Sequence, residues 1–300
     1  MSCLEINPKI TIITACLNAA GTIEQTIRSV LDQGYPNLEY IIVDGGSSDG
    51  TLDVVEKYRE RISTVVSEPD NGIYDAFNKG IKLATGDLIG ILNADDLYAP
   101  WTLKTVSKVY AEQPNYDVYF GKVVYVNVKN GKRILYALGH PGNLTYRMDQ
   151  MSPQHPSIFV PKKTYDKCGR YDTRYRIVGD WDYFLGLFLN GARFYSINTV
   201  FTAFSASGIS SHMSRRHLIE NKWVYCKYFN KLEAFGKNAK MYMRYYVKQL
   251  MILMKIYDKY VALRDSRAAA YSNVEFSGEY CSADAASVWS DLREDRLRQY

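Results

Sequence analysis

Cysteine is scarce in this 300-residue chain, and no two of its five cysteines form a CxxC pair. They are scattered singly, as Cys3, Cys16, Cys168, Cys226 and Cys281. An odd, scattered set argues against a disulfide framework and against a cysteine-based zinc site, and it is typical of a reducing compartment. We therefore expect a cytoplasmic protein.

Long apolar runs are missing too. No segment reaches the roughly 18 uninterrupted apolar residues that a membrane-spanning helix needs. The first residues, MSCLEINPKITII, lack a basic stretch followed by a long apolar run, so we expect no signal peptide. With 47% apolar residues the chain can still bury a large core, as one domain or as one domain with an appendage.

The net charge of +5 is unevenly distributed along the chain. Residues 212–265 hold twelve Lys and Arg against four Asp and Glu, whereas residues 266–300 hold four against six. We therefore divide the chain into a near-neutral body (residues 1–211), a basic aromatic segment (212–265) and an acidic tail (266–300). We expect the tail to be peripheral or disordered.

The first hundred residues alternate between strand and helix patterns. Four β-rich apolar runs, KITIITA, LEYIIVD, ISTVVSE and DLIGILN, are separated by three segments with apolar residues at helical spacing. Thr22 with Gln25 is a capping-box pattern for the first helix, Ser47 and Asp49 suit the cap of the second, and Asn71 suits that of the third. This alternation predicts an α/β fold with a parallel sheet and helices on both faces.

A polar residue follows each of these four strands: Asn18, Asp44, Glu68 and Asp95. The carboxyl ends of parallel strands meet at one edge of a sheet, and ligands bind in the crevice outside that edge. We therefore expect these four side chains to converge there. The convergence is our first indication of a functional site.

The fourth strand ends abruptly in Asn93-Ala94-Asp95-Asp96. Two adjacent carboxylates repel each other unless a positive group lies beside them, and a divalent cation is the obvious candidate. Neither the GxGxxG nor the GxxxxGK[ST] phosphate-binding fingerprint follows the first strand, where TACLNAAGT contains only Gly21. Mg²⁺ or Mn²⁺ on Asp95 and Asp96 would neutralise the phosphates of a nucleotide instead.

The second half of the body reads differently. A helix near residues 102–113 precedes two β-rich runs, DVYFGKVVYV and RILYAL, which flank the type I′ turn signal Asn130-Gly131. The polar stretch 140–157 is loop-like, and we expect it to face a substrate. IVGDWDYFLGLFLNG then predicts a helix with two aspartates near its start, and most of the basic aromatic segment, 215–263, reads as helical.

Two long stretches resemble family 2 glycosyltransferases of the GT-A fold, most closely the bacterial members that assemble polysaccharides. They are ITIITACLNAAGTIEQTIRSVLDQGYPNLEYIIVDGGSSDGT and SEPDNGIYDAFNKGIKLATGDLIGILNADD, within a match over roughly residues 8–211. The resemblance implies a Rossmann-like, mostly parallel sheet, extended here by C-terminal helices. It also implies a nucleotide-sugar half (about 1–100) and an acceptor half (about 101–211).

The activity implied by the resemblance is inverting transfer of a sugar from a nucleotide-diphospho-sugar, with a UDP-sugar favoured. The acceptor would be a hydroxyl of a glycan, lipid-linked, in surface polysaccharide assembly. Asn93-Ala94-Asp95 stands where such enzymes carry a DxD motif, so Asn93 replaces the first carboxylate. Asp95 would ligate Mn²⁺ or Mg²⁺, with Asp96 behind it or as the alternate ligand.

The resemblance also assigns the nucleotide-sugar contacts. Asp44 would accept a hydrogen bond from a uracil-type imide, and Lys79 would meet a phosphate. The full set is Thr14, Ala15, Cys16, Asn18, Asp44, Ser47, Asp70, Tyr74, Lys79, Asn93, Ala94 and Asp95. Each has a structural alternative: Asp44 is equally suited to capping the turn at Gly45-Gly46, and Asp70 to forming a turn.

Asp180 stands where relatives carry the general base that takes the proton of the acceptor hydroxyl. Gly179 replaces the Glu found beside it in many members, so the catalytic role stays open between Asp180 and Asp182. Either carboxylate would also suit the helix dipole. His155 and His212 are candidate contacts to the acceptor or to a phosphate, each with a structural loop role as the alternative.

The basic aromatic segment has two interpretations. As a membrane-surface helix it would place Lys and Arg on anionic headgroups and Tyr, Phe and Met in the interface, which suits a lipid-linked acceptor on the inner face of the cell membrane. Alternatively it packs on the body or on a second subunit. We expect no nucleic-acid partner, because no recognition fold accompanies the charge.

Two other functions stay open beside the transferase. A catalytically silent nucleotide-sugar-binding or assembly subunit would use the same edge of the sheet without turnover. A nucleotidyltransferase would require a glycine-rich basic loop after the first strand, which this chain does not have.

Overall fold

The computed structural model describes residues 7–129, 132–138, 153–205 and 214–253. Its strands and helices are, in chain order, β1 (Ile10–Cys16), α1 (Ile23–Leu31), β2 (Leu38–Asp44), α2 (Thr51–Glu56), β3 (Thr64–Ser67), α3 (Ile73–Leu83), β4 (Leu88–Ile91), β5 (Leu97–Tyr98), α4 (Thr102–Glu112), β6 (Val118–Lys129), β7 (Lys132–Leu138), β8 (Ile158–Pro161), α5 (Lys162–Cys168), α6 (Gly179–Leu189), β9 (Phe194–Ser205), α7 (Arg215–Tyr228) and α8 (Lys231–Leu253). The Asn130-Gly131 turn, most of the predicted loop 140–157, His212 and the acidic tail lie outside the described residues.

The strands form one nine-stranded sheet in the order β3-β2-β1-β4-β8-β6-β9-β5, with β7 paired to β6. The four strands predicted from the alternating pattern, β3-β2-β1-β4, are all parallel. Beyond β4 the sheet is mixed: β8 is antiparallel to both β4 and β6, while β6 and β9 are parallel. The predicted α/β fold is therefore confirmed.

The carboxyl ends of the parallel strands are level with one another. Cys16 at the end of β1 lies opposite Asp44 of β2, which in turn lies opposite Ser67 of β3. On the other side of β1, Ile13 pairs with Ile91, the last residue of β4. The chain runs outward from β1 to β3 and then returns to β4, so the crevice between the β1 and β4 ends is the topological switch point.

Helices cover both faces of the sheet, as predicted, and each face has its own core. One core holds Phe77 of α3 together with Trp181 and Phe184 of α6. The other holds Ile27 of α1 and Leu103 of α4. The apolar helical spacing read from the sequence corresponds to these two buried faces, and their burial is the main stabilising contribution.

The predicted helix caps are confirmed only in part. Thr22 is the N-cap of α1 but makes no side-chain cap hydrogen bond, so the predicted capping box does not form. Helix α2 begins after Gly50 rather than at Ser47 or Asp49, and α3 begins after Gly72 rather than Asn71. Gly50 and Gly72 have φ of 90° and 99°, a backbone region that glycine adopts readily.

The C-terminal helices begin with a segment that belongs to the body. Val224 of α7 is fully buried in the core that contains Trp181. Lys227 of α7 forms an ion pair of 2.8 Å with Asp182. Helix α7 therefore packs on the body, and the division of the chain at residue 211 stays a prediction.

Helix α8 is different, because large apolar side chains on it are exposed. Leu232 is 81% exposed and Phe235 is 72% exposed, and Met243, Tyr246 and Leu250 continue the exposed series. Among the described helices, none is both long and apolar enough to cross a membrane.

Candidate active site

The loops after β1 and β2 are joined by hydrogen bonds between their backbones and side chains. The backbone N–H of Asn18 donates to Ser47 Oγ (2.8 Å), and its side-chain Oδ1 accepts from the N–H of Ser48 (2.9 Å). The N–H of Ala20 donates to Asp49 Oδ2 at 3.0 Å. Ser47 thus bonds to the neighbouring loop, whereas Asp49 bonds to that loop through Oδ2 and, through Oδ1, to the N–H of Thr51, the first residue of α2 (3.1 Å).

Asp44 lies fully buried at the end of β2, where protein groups surround its carboxylate. Oδ2 accepts from the N–H groups of Gly46 and Ser47 and from Ser67 Oγ (2.7 Å), and Oδ1 accepts from Ser47 Oγ. Burial by itself would raise the pKa of Asp44, but these hydrogen bonds outweigh it and lower the pKa. Without a ligand, Asp44 therefore caps the turn at Gly45-Gly46, which is the structural alternative given above.

The turn after β4 brings Asn93, Asp95 and Asp96 to the same edge. The N–H of Asp96 donates to the carbonyl of Asn93 (3.1 Å), and Asn93 Nδ2 donates to Asp96 Oδ2 (3.4 Å). Asn93 Oδ1 is buried and has no hydrogen-bond partner in the described part of the chain. Burial raises the pKa of Asp95, and among the described residues no positive group offsets this effect.

These residues fit a hard divalent cation that shares its coordination with substrate phosphates. Within the described residues no group of three or more His, Cys, Asp or Glu side chains is arranged to enclose a metal ion. Mg²⁺ and Mn²⁺ do not require such an enclosure, because they are usually held by one or two carboxylates together with phosphate oxygens. The unpartnered Asn93 Oδ1 and the desolvated Asp95 carboxylate are oxygen donors of that kind.

Asp180 is the second residue of α6, on the face of the sheet that α3 covers. Its Oδ1 accepts from Tyr74 OH (3.0 Å) and from the N–H of Trp181 (2.9 Å). Oδ2 accepts no hydrogen bond from the described residues. Burial raises the pKa of Asp180 to about 6, although both hydrogen bonds act in the opposite direction. A carboxylate with this pKa is ionised at neutral pH and is a better proton acceptor than an ordinary aspartate.

Asp182, the other candidate base, is committed to an ion pair. Both of its oxygens lie within 2.9 Å of Lys227 Nζ, and Oδ1 also accepts from Tyr175 OH (3.1 Å). The side chain is buried against α7. The geometry therefore separates the two aspartates, which the sequence left as alternatives: Asp180 has an unused oxygen, and Asp182 holds α7 in place.

Glu220 of α7 is a site-forming residue that sequence reasoning missed. It is fully buried, and its carboxylate accepts from the backbone N–H groups of Arg176, Ile177 and Val178, at 3.0, 2.9 and 3.2 Å. These residues lead directly into Asp180, and the charge of Glu220 contributes to the raised pKa of Asp180. In the sequence it is one acidic residue within a basic segment, which gave no signal.

Other predicted nucleotide-sugar residues divide into core and edge positions. Thr14, Ala15 and Cys16 are buried in β1, where Thr14 Oγ1 lies 3.0 Å from Tyr40 OH. Asp70 lies against the loop after β2, since a Cβ on Gly45 would come within 2.5 Å of Asp70 Oδ2. Asp70 therefore lies at the carboxyl edge of the sheet, whereas Thr14, Ala15 and Cys16 are packed inside the fold.

Lys79 is already neutralised by acidic neighbours. Its ammonium lies 2.9 Å from Glu68 and 3.6 Å from Asp75. A different cation lies nearby: the guanidinium of Arg176 packs directly over Gly72 at the start of α3. Arg176 was not singled out from the sequence.

His155 is a core residue. Its imidazole is 7% exposed, stacks on Phe77 with ring centroids 5.0 Å apart, and lies 3.3 Å from Tyr171 OH. Burial lowers its pKa to about 4, so the ring is neutral at physiological pH. These contacts favour the structural alternative for His155, while His212 lies outside the described residues.

Comparison with solved structures defines the class of fold. S. aureus TarS (residues 1–349, in complex with UDP-GlcNAc) superposes with a TM-score of 0.60 at 20% identity, over 76% of this chain and 69% of TarS. The mannosyltransferase PcManGT of Pyrobaculum calidifontis, solved with GDP-Man and Mn²⁺, gives 0.58 at 19% identity, over 98% and 81%. The fold is the GT-A fold of glycosyltransferases.

Comparison of sequences then defines the family. Residues 11–168, a little over half of the chain, match the family described as Glycosyl transferase family 2. A PGL/p-HBAD biosynthesis glycosyltransferase of Mycobacterium bovis is 31% identical over 189 residues, 62% of this chain and 72% of that protein. The putative teichuronic acid biosynthesis glycosyltransferase TuaG of Bacillus subtilis is 42% identical over 92 residues, 30% and 36%. The chain belongs to glycosyl transferase family 2, as the resemblance indicated.

Proposed function

We propose that this glycosyltransferase moves a sugar from a nucleotide-diphospho-sugar, with a UDP-linked donor favoured, to a hydroxyl of a glycan acceptor in surface polysaccharide assembly. The observation that carries the proposal is Asp180, a half-buried carboxylate with an unused oxygen and a pKa of about 6. Relatives named for PGL/p-HBAD biosynthesis and teichuronic acid biosynthesis support the acceptor class. The UDP-GlcNAc complex of TarS supports the donor class.

In this proposal Asp180 is the general base. An acceptor hydroxyl is a poor nucleophile, and a carboxylate within hydrogen-bond reach takes its proton as the bond to the anomeric carbon forms. Tyr74 and the N–H of Trp181 hold Oδ1, which leaves Oδ2 for that proton. One base acting on the face opposite the leaving group implies direct displacement with inversion at the anomeric carbon.

Asp95 and Asn93 would hold Mn²⁺ or Mg²⁺, with Asp96 behind them. The ion would neutralise the negative charge of the departing diphosphate. Asp96 accepts a hydrogen bond from the side-chain amide of Asn93. It would therefore orient Asn93 rather than contact the ligand directly. The Asp44 turn would then support the base and ribose end of the donor.

Calorimetric titration of the full-length protein with UDP-, GDP- and dTDP-sugars in the presence of Mn²⁺ tests this proposal. We expect UDP-sugar binding that requires the metal and is lost in Asp95→Ala. The exposed Asp166→Ala is the matched control, since it removes one carboxylate far from the strand edge. Metal-independent binding of the donor, or binding that survives Asp95→Ala, would contradict the metal assignment.

A lipid-linked acceptor would bring the enzyme to the inner face of the cell membrane. Helix α8 supports this, because exposed Leu232, Phe235 and Met243 share the helix with the exposed lysine Lys240. Apolar side chains would enter the interface while the lysines meet anionic headgroups. The competing interpretation is a helix that packs on a second subunit.

A further inference from the structure

Lys122 of β6 is a buried lysine without a partner. The residue is 5% exposed, and its ammonium makes no hydrogen bond or ion pair with any described residue. Burial lowers its pKa, as expected when no opposite charge compensates the loss of hydration. An unpaired buried cation destabilises a fold, so its presence calls for a ligand that supplies the missing negative charge.

The sheet register places Lys122 at the functional edge. Gly90 of β4 pairs with Phe159 of β8, and Phe159 pairs with Tyr119 of β6. Asn93 follows β4 by two residues, and Lys122 follows Tyr119 by three residues on β6, which runs in the same direction as β4, so both lie toward the same edge of the sheet, two strand spacings apart. That separation is roughly 10 Å between backbones.

The face of the sheet is also determined. A Cβ on Gly121 would collide with the ring of Phe201, which belongs to the core under α1 and α4. Successive residues of a strand point to opposite faces, so Lys122 points to the other face. That face carries Phe120 and Trp181, and therefore the start of α6 with Asp180.

Two unpartnered buried polar atoms thus lie on one edge: the Lys122 ammonium, which can only donate, and Asn93 Oδ1, which accepts. They flank β8, and Lys122 is on the side away from the nucleotide strands β1, β2 and β3. A ligand that runs from β4 toward β6 would meet both. The part that reaches Lys122 would lie beyond the donor diphosphate.

We propose that Lys122 binds an oxyanion of the substrates, a carboxylate or a phosphate, on the acceptor side of the site. The inference rests on the proposed function. Two sources share this chemistry: a carboxylate on the donor sugar, and a phosphate on the acceptor. Neither the family match nor the named relatives assign a role to this residue.

Two pairs of probes, each an anion with its neutral counterpart, distinguish the sources by calorimetry on the full-length protein with Mn²⁺. UDP-glucuronate against UDP-glucose tests the donor sugar. Glucose 1-phosphate against methyl glucoside, with UDP already saturating, tests the acceptor. Lys122→Met keeps the length of the side chain and removes the charge, and exposed Lys104→Met is the charge-matched control.

We expect the anion of one pair to bind about tenfold or more tightly than its neutral counterpart, as a charge-assisted hydrogen bond would provide. Lys122→Met should abolish that preference and Lys104→Met should keep it. The pair of probes that shows this preference identifies whether the oxyanion belongs to the donor sugar or to the acceptor. A preference that survives Lys122→Met, or no preference in either pair, overturns the proposal. Binding of UDP alone is the separate check, because wild-type protein that fails to bind UDP contradicts the proposed function instead.

Thermal unfolding without ligands supplies a second readout. Removing an unpaired buried charge should leave the Tm of Lys122→Met equal to or above that of wild type. A Tm well below that of Lys104→Met would show that Lys122 supports the fold itself, and would overturn its assignment as a binding residue.

Discussion

The substitution Asp180→Asn separates two effects of the half-buried Asp180 carboxylate, its cost to folding stability and its role in catalysis. The amide has the same shape and still accepts from Tyr74 and Trp181, but it carries no charge. The pKa of Asp180 is about 6 in the folded protein against 3.8 for an ordinary aspartate, so folding favours the protonated form. At 1.36 kcal/mol per pH unit, ionised Asp180 destabilises the folded state by about 3 kcal/mol at pH 7.5.

The sign of the pH dependence follows from this raised pKa. The stability associated with protonated Asp180 is fully present below pH 3.8 and is lost as pH rises through about 6. Asp180→Asn should therefore be more stable than wild type at pH 7.5, by up to about 3 kcal/mol, and the difference should shrink toward pH 4. Urea unfolding at several pH values measures the difference directly.

The same substitution should remove activity. As the base is lost, turnover should fall by about 100-fold or more while donor binding is retained. For the wild type, kcat/KM should decline as pH falls below about 6, where Asp180 becomes protonated. Asp182→Asn is the internal comparison: it breaks the buried ion pair with Lys227, and it should destabilise the protein by roughly 1–3 kcal/mol.

Equal stability of Asp180→Asn and wild type across this pH range would refute the reasoning, because the carboxylate would then not be desolvated. Full activity in Asp180→Asn would refute its role as the base. Higher stability together with lost turnover is expected of a functional group that destabilises the fold. Substitution of a structural aspartate such as Asp182 should instead lower the stability.

Two further predictions concern the C-terminal helices. Glu220→Gln should lower kcat and shift the acidic limb of the pH–rate profile to lower pH, with donor KM unchanged. The reason is that Glu220 both positions residues 176–178 and raises the pKa of Asp180. An acidic limb that does not shift, together with an altered donor KM, would contradict this positioning role. Phe235→Glu should reduce sedimentation of the protein with vesicles containing anionic phospholipids, whereas Leu189→Glu, also exposed, should not. Unchanged vesicle binding together with an altered oligomeric state would favour packing on a second subunit.

Local rules predicted the first half of the fold well, because there the sequence pattern and the tertiary structure coincide. Each β-rich run in the first hundred residues is a strand, and each intervening helix buries the face that its apolar spacing marks. The helix caps were predicted less well. Ser47 has a side chain suited to capping, but its hydroxyl accepts from Asn18 in a neighbouring loop, and Asp49 divides its oxygens between Ala20 of that loop and Thr51 of α2.

The site residues also fall into two groups, those that the sequence indicated and those that it did not. The aspartates at Asp95 and Asp180 were visible in the sequence because each follows or begins a regular element. Glu220 and Lys122 were not, since the significance of each depends on burial and on neighbours distant in the chain. Tertiary contacts also distinguished Asp180 from Asp182, two residues apart with identical side chains.

By itself, the sequence determined the α/β alternation, the edge at which polar residues gather, and the family. The order of the strands, the mixed pairing beyond β4 and the attachment of α7 to the body were decided only by the tertiary structure. The physical reason is range: hydrophobic periodicity and turn chemistry act within a few residues, whereas desolvation, ion pairing and strand register depend on which distant segments pack together.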